Sequence, residues 1–165
     1  MALEIERRFL IKNDNWKKFI TKKIFIQQGY LSKSLDDWVI RIRFTGKDYK
    51  IALKKHIEGF TNFEFEYSIP KKDGKTIMSN LSNKIKKDRF FLEIEKKSWI
   101  IDCFKENNYP LEIAEIELSN EKEDLFLPSF ISEEITGLTH YSNFSLANNP
   151  FSEWKEEYLK TLKSD

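Results

Sequence analysis

The stretch Leu3-Glu4-Ile5-Glu6-Arg7-Arg8-Phe9-Leu10-Ile11 decides the fold. Leu3, Ile5, Phe9 and Ile11 share one parity, interrupted only by Arg7, while Glu4, Glu6 and Arg8 occupy the other. Successive side chains of a β-strand point to opposite faces, so one face is apolar and the other charged. An ordinary antiparallel strand, half on a core and half in water, gives the same alternation. What separates the two readings is how often the pattern recurs.

It recurs along most of the chain. Residues 24–31 read as a second strand around Gln27-Gln28-Gly29, and 38–44 as a third, with Ile40, Ile42 and Phe44 opposing Val39, Arg41 and Arg43. A hairpin turn at Thr45-Gly46-Lys47-Asp48 leads into 49–54, where Ile51 and Leu53 oppose Lys50, Ala52 and Lys54. Phe63-Glu64-Phe65-Glu66-Tyr67 sets aromatics against carboxylates, and Pro70 ends it. Three further strands fall at 85–94, 98–104 and 111–118, the last alternating Ala114, Ile116 and Leu118 with Glu115 and Glu117. Between and after them lie helix signals. Asn13 and Asp14 are N-cap residues for a short helix bearing Trp16, Phe19 and Ile20; residues 71–83 carry Ile77, Met78 and Leu81 at helical spacing, against Gly74. From Ser119 the chain reads as helix and loop, closing with a helix capped by Ser152 and bearing Trp154, Tyr158 and Leu159.

The charged faces carry Glu4, Glu6, Glu64, Glu66, Asp102, Glu115 and Glu117, and Arg8, Arg41, Arg43, Lys54, Lys87 and Arg89. About eight strands suffice to close a barrel, with one set of faces inside. An ordinary small barrel turns its apolar faces inward. Here Ile40, Ile42, Phe44, Phe63, Phe65, Tyr67, Trp99 and Ile101 overfill a small lumen, and the apolar faces of the helices need a partner. The α+β arrangement that satisfies both is an antiparallel β-barrel with a charged lumen and helices packed on the outside.

Such a lumen needs a ligand that pairs with both signs, because unpaired buried charge is expensive. Hard divalent cations suit the carboxylates, and a multiply charged phosphate chain suits Arg and Lys. Glu4/Glu6 and Glu115/Glu117, at i, i+2, place two carboxylates on one face about 6 to 7 Å apart. All-oxygen ligands favour Mg²⁺ or Mn²⁺ over zinc. Only five glycines and no Gly-x-x-x-x-Gly-Lys loop are present, so side chains would hold the phosphates.

These residues resemble the Glu-x-Glu-x-Lys opening of the CYTH superfamily, the triphosphate tunnel metalloenzymes. The resemblance runs through Gln28-Gly29-Tyr30-Leu31, Arg41-Ile42-Arg43, Lys54, residues 63–70, Lys87-Asp88-Arg89, Asp102, Ala114-Glu115-Ile116-Glu117-Leu118, Glu134-Ile135-Thr136-Gly137 and Leu146-Ala147. It covers nearly the whole chain and is most like the short bacterial members that act on inorganic triphosphate. It implies an eight-stranded tunnel and a hydrolase producing pyrophosphate and phosphate from tripolyphosphate. Glu4, Glu6, Glu64, Asp102, Glu115 and Glu117 would hold metal, with Glu66 on the same acidic strand. Arg8, Arg41, Arg43, Lys54, Lys87 and Arg89 would bind the phosphate chain, and Arg8, Tyr30 and Lys87 would serve the chemistry. Adenylate cyclase of class IV, thiamine triphosphatase and a non-catalytic polyphosphate- or nucleotide-binding module are the alternatives, with ATP or thiamine triphosphate as ligands.

Position 8 departs from the family pattern. Arginine stands where the signature has lysine, and in such members that lysine, near a tyrosine matching Tyr30, is implicated in activating water. A guanidinium cannot be deprotonated in a protein, so Arg8 can bind phosphate but cannot be a general base. The expectation is a slower hydrolase than its relatives, or one that relies on the metal to activate water.

Composition narrows the partners. The 165 residues, taken as a single domain, carry 28 Lys and Arg against 27 Asp and Glu, so no global basic field draws nucleic acid or membrane. Cys103 is the only cysteine, excluding an internal disulfide, and should point away from the lumen as an inert thiol. His56 and His140 have no ligand-spaced partner and read as surface residues. With no apolar leader or membrane-length run, the chain reads as soluble and cytoplasmic. The spare aromatics suit either the core or a homodimer surface.

Overall fold

The computed structural model describes the backbone of residues 3–162 and the side chains of residues 3–158, so the Leu159 side chain lies outside the described residues. Nine strands form one antiparallel sheet: β1 (Leu3–Ile11), β2 (Ile20–Tyr30), β3 (Val39–Phe44), β4 (Tyr49–Glu58), β5 (Thr61–Ile69), β6 (Lys84–Ile94), β7 (Lys97–Phe104), β8 (Glu112–Glu117) and β9 (Ile131–Glu134). The spatial order is β5-β4-β3-β2-β6-β7-β8-β1, and β5 pairs with β1 to close eight strands into a barrel. Strand β9 is additional, and it falls where the sequence reads as helix and loop.

β1 is the closing staple. One of its edges pairs with β8 from Glu6↔Glu117 to Leu10↔Ile113. The other edge is shared, with β5 facing residues 3–5 and β9 facing residues 9–11. Glu6 falls between these two partners. Arg8 is held at the far side of that interval, its backbone N–H donating to Thr136 Oγ1 at 2.9 Å and its carbonyl accepting from Ile135 at 2.9 Å.

The apolar faces turn outward, as the alternation requires. Phe9, Trp99, Ile101, Ala114 and Ile116 form a buried layer on the barrel's outer surface, covered by Trp16 and Phe130. Trp16 comes from a 3-10 helix at Asp14–Phe19, capped by Asn13 accepting from the Asn15 N–H at 3.0 Å. Ile20, expected on that helix, instead opens β2. Helix α1 (Lys71–Ser79) is shorter than the spacing suggests and packs on β3 and β4. Its Gly74 is a packing requirement, since a Cβ there would lie 2.3 Å from Tyr49 Cγ. Helices do not cover the outside of β5. Trp38 lies over Phe63 and Phe65 at 6.5 and 6.0 Å, and both phenylalanines remain 36% exposed.

A second core overturns one expectation. Leu10, Ile85, Phe104 and Ile113 share the parity of the charged lumen residues, yet they are buried against Ile135, Tyr141, Leu146 of α2 (Asn143–Asn148) and Phe151 of α3 (Phe151–Leu162). At this end the lumen changes from charged to apolar, and the C-terminal helices stopper it. Trp154 and Tyr158 pack on this cluster rather than on the tunnel's outer surface. Helix α3 starts at Phe151, directly after Pro150, so Ser152 is inside the first turn and not its cap.

Asn108 locks the stopper to the barrel. Its buried side chain donates to the Leu146 carbonyl at 3.2 Å and accepts from the Phe151 N–H at 2.8 Å. Asn108→Ala strands both backbone groups and is expected to lower unfolding stability by about 2 kcal/mol or more. Urea denaturation measures this.

Candidate active site

The inward residues of seven strands meet in a central cavity of about 300 Å³. β1 contributes Glu4 and Glu6, β3 Arg41 and Arg43, β4 Lys54, β5 Glu64, β6 Arg89, β7 Ser98 and Ile100, and β8 Glu115 and Glu117. Asn143, from the stopper, completes the lining. The strand register generates the pairings: Lys54 opposes Glu64 across β4 and β5, and Arg89 opposes Asp102 across β6 and β7. Lys54 Nζ pairs with Glu4 and lies 3.7 Å from Glu6 and 3.8 Å from Glu64. Arg41 Nη2 reaches Glu64 at 3.0 Å and Glu66 at 3.1 Å. Glu66, also held by Lys50 at 2.9 Å, anchors this cluster.

Behind the lumen wall runs a buried chain of charges. Lys87 Nζ donates to Asp102 Oδ2 at 2.5 Å; Arg89 meets both Asp102 oxygens at 2.7 Å and Glu115 at 3.2 Å. Glu115 in turn accepts from Arg8 Nε at 3.1 Å, and Arg8 Nη1 donates to the Tyr141 carbonyl at 3.0 Å. Lys87 and Asp102 are both fully buried and line neither the central cavity nor the one beside it. Inward parity puts them in the wall, and the stopper then covers them. Burial raises the Asp102 carboxyl, but the Arg89 and Lys87 charges outweigh it and hold the group well below the usual carboxylate range. Burial pushes the Lys87 ammonium down to about 7 against the pull of Asp102.

The lumen is short of anions on one side and crowded with them on the other. Burial, then the neighbouring Arg41 and Arg89 charges, push Arg43 down to about 10. Arg8 Nη2 and Arg41 Nε are buried donors without a hydrogen-bond acceptor. Burial and the Glu6 carboxylate drive Glu4 up to about 8 against the pull of Lys54. Glu64 Oε2 is buried without a hydrogen bond.

A second cavity of about 470 Å³ adjoins the first, beside the interval in β1's edge. Arg8 and Tyr30 line this side cavity, with Val39, Phe60, Leu138 and Phe144 as apolar wall and His56, Asn62 and Thr139 as polar wall. Tyr30 is buried, and its hydroxyl accepts from Gln28 Nε2 at 2.7 Å while Gln28 Oε1 accepts from Arg43 Nε at 3.1 Å. Glu6, Arg41, Lys54 and Asn143 border both cavities and form the waist between them.

The carboxylates Glu4, Glu6 and Glu64 supply the oxygen donors a hard divalent cation takes, and Glu64 Oε2 has coordination to spare. As they stand, among the described residues, no three His, Cys, Asp or Glu side chains are spaced as a metal site. Lys54 sits among these acids. Asp102, expected among the ligands, has both oxygens occupied by Lys87 and Arg89.

The charge pattern passed over Gln28, which bridges Tyr30 and Arg43, and Thr136 and Asn143, which line the cavities. Gln28 shares parity with Tyr30 and was reachable on that ground; Asn143 lies in a segment without periodicity. Cys103 faces the outer apolar layer as expected, with its Sγ 3.5 Å from Glu112 Oε1 and burial raising its pKa. His56 and His140 are exposed. No helix among the described residues is long and apolar enough to cross a membrane.

No protein-family model matches the chain. An inorganic triphosphatase of Acetivibrio thermocellus is 35% identical over 159 residues, covering 94% of this chain and all of the relative. An inorganic triphosphatase of Nitrosomonas europaea is 27% identical over 148 residues, covering 87% of this chain and 96% of the relative. Among solved structures, that of the inorganic triphosphatase NE1496 superposes with a TM-score of 0.66 at 25% identity, covering 89% of this chain and 95% of the other. The putative adenylyl cyclase HpAC1 of Hippeastrum, described as having a dominant triphosphatase activity, shares the fold alone: TM-score 0.55, 14% identity, 73% of this chain and 80% of that one. A charged lumen inside an eight-stranded barrel and homology along nearly the full length give one answer: the chain belongs to the inorganic triphosphatase family of the CYTH superfamily.

Proposed function

We propose that the protein hydrolyses inorganic triphosphate, with tripolyphosphate and water giving pyrophosphate and phosphate. The observation that carries this reading is the convergence of Arg41, Arg43, Lys54 and Arg89 with five carboxylates in one cavity. Arg41, Arg43 and Arg89 hold the phosphate chain, and an anion among them offsets the burial and the mutual repulsion that together lower Arg43. Asp102 and Lys87 do not touch substrate; they fix Arg89 so that its guanidinium enters the lumen already oriented, which lowers the reorganisation needed as charge develops on the leaving pyrophosphate. Glu4, Glu6 and Glu64, with Glu115 and Glu117 across the lumen, are the residues to hold Mg²⁺ or Mn²⁺. A divalent cation held by them would supply Lewis-acid polarisation of the phosphate oxygens. Lys54 exchanges carboxylate partners for phosphate when substrate enters.

The side cavity favours a second substrate class. Its apolar wall would accept an organic group on a triphosphate, as in ATP or thiamine triphosphate. Phosphate release from all three compounds with Mg²⁺ or Mn²⁺, beside an assay for cyclic AMP, separates these activities. Binding without turnover of any of them supports a non-catalytic module instead.

Glu4→Gln removes a metal-ligand carboxylate and is expected to abolish turnover; retained activity means the acids are not the metal site. The same substitution has an opposite effect on stability. Glu4 titrates near 8 in the folded protein against 4.5 for the free group, so the stability it contributes is present below about pH 4.5 and is lost as pH rises through about 8. The ligand-free Glu4→Gln protein therefore melts above wild type at pH 9 and level with it near pH 5, as calorimetry would record.

Arg8→Lys restores the family residue. We expect kcat to rise severalfold, because an amine can lose a proton and a guanidinium cannot, while thermal stability falls because the Tyr141 carbonyl loses its donor. An unchanged or lower kcat counts against the expectation that Arg8 slows turnover.

A further inference from the structure

Asn143 stands at the waist between the two cavities, and the charge beneath it decides which way its amide faces. Lys87 Nζ donates to Asn143 Oδ1 at 3.0 Å. Anchored on Asp102, Nζ keeps an N–H aimed at the amide, so the carbonyl end is the one that faces it. The Nδ2 donors are thereby turned away from Lys87. Among the described residues Nδ2 donates to no protein group, although Asn143 lines both cavities beside Arg41, Lys54 and Glu6. Lys87 is itself immobilised, fully buried and tied to Asp102 at 2.5 Å.

We infer that Asn143 is a substrate-contacting residue whose amide N–H groups, locked in orientation by Lys87, bind a non-bridging oxygen of the phosphate chain at the waist. This rests on the triphosphatase reading and extends it. The charged groups at the waist already have acidic neighbours: Arg41 Nη2 donates to Glu64 and Glu66, leaving its buried Nε unpaired, and Lys54 lies against Glu4. A neutral amide needs no release from an ion pair before it can bind. Its anchor also gives the fully buried Lys87 a task that direct contact with substrate does not explain. The stopper becomes part of the site, because Asn143 begins α2.

The test uses two substitutions with opposite consequences for the two roles Asn143 could serve. Asn143→Asp keeps an oxygen for Lys87 but replaces the N–H donors with a carboxylate that repels phosphate. Asn143→Ala removes both the Lys87 acceptor and the donors. Calorimetric titration of each full-length protein with tripolyphosphate in EDTA reads binding without metal or turnover. Contact with substrate predicts that both bind more weakly than wild type, the alanine variant by roughly tenfold or more and the aspartate variant worse still. In Mg²⁺-supported kinetics the alanine variant should raise KM more than it lowers kcat. If Asn143 serves only to satisfy Lys87, the order reverses: aspartate binds like wild type and alanine alone is weakened and melts early. That order overturns the inference while leaving the triphosphatase reading intact. Wild-type protein that neither binds nor cleaves tripolyphosphate removes the reading itself, and the inference with it.

Discussion

Everything in this molecule follows from the need to satisfy Asp102. It is a fully buried carboxylate held by an ammonium and a guanidinium. Breaking a simple buried ion pair costs about 3 to 5 kcal/mol, and Asp102 is guarded against that by two cations. Arg89 meets Glu115 as well as Asp102, and Glu115 also takes Arg8, whose guanidinium runs on to the Tyr141 carbonyl. The network thus ties β6, β7, β8 and β1 to the C-terminal segment, and turning any of these strands over would strand charges at several points at once. The charged interior is a register lock as well as a binding surface.

The alternation of single strands made the barrel legible. Glu4, Glu6 and Arg8 against Leu3, Ile5 and Phe9 fixed which face is which, and Arg41, Arg43, Lys54, Glu64 and Arg89 repeated the answer often enough to reject a water-facing charged surface. Parity, however, gives direction and not depth. Lys87 and Asp102 point inward like Arg89, but it is the three-dimensional fold that sets the stopper over them. The same limit hid the stopper: Leu10, Ile85, Phe104 and Ile113 have inward parity and no charge, and in the sequence they read as ordinary apolar strand ends.

Other features have no local signal. β9 is the four-residue segment Ile-Ser-Glu-Glu, too short and polar to show alternation, and it exists because the second half of β1's edge needs a partner. Asn143 is one polar residue among many in a segment of loops and short helices; its importance comes from Lys87, 56 positions away. Phe63 and Phe65 face outward as their alternation requires, and a single indole from a loop half-covers them.

The shared edge of β1 has a hydraulic consequence. A tube stoppered at its base holds the water that an incoming polyanion must displace, and with one mouth the anion and the water would have to pass each other. The interval at Glu6 opens the lumen sideways into the larger cavity. A polyanion filling the lumen would then have a second cavity beside it to take the solvent it displaces, as a vented vessel does.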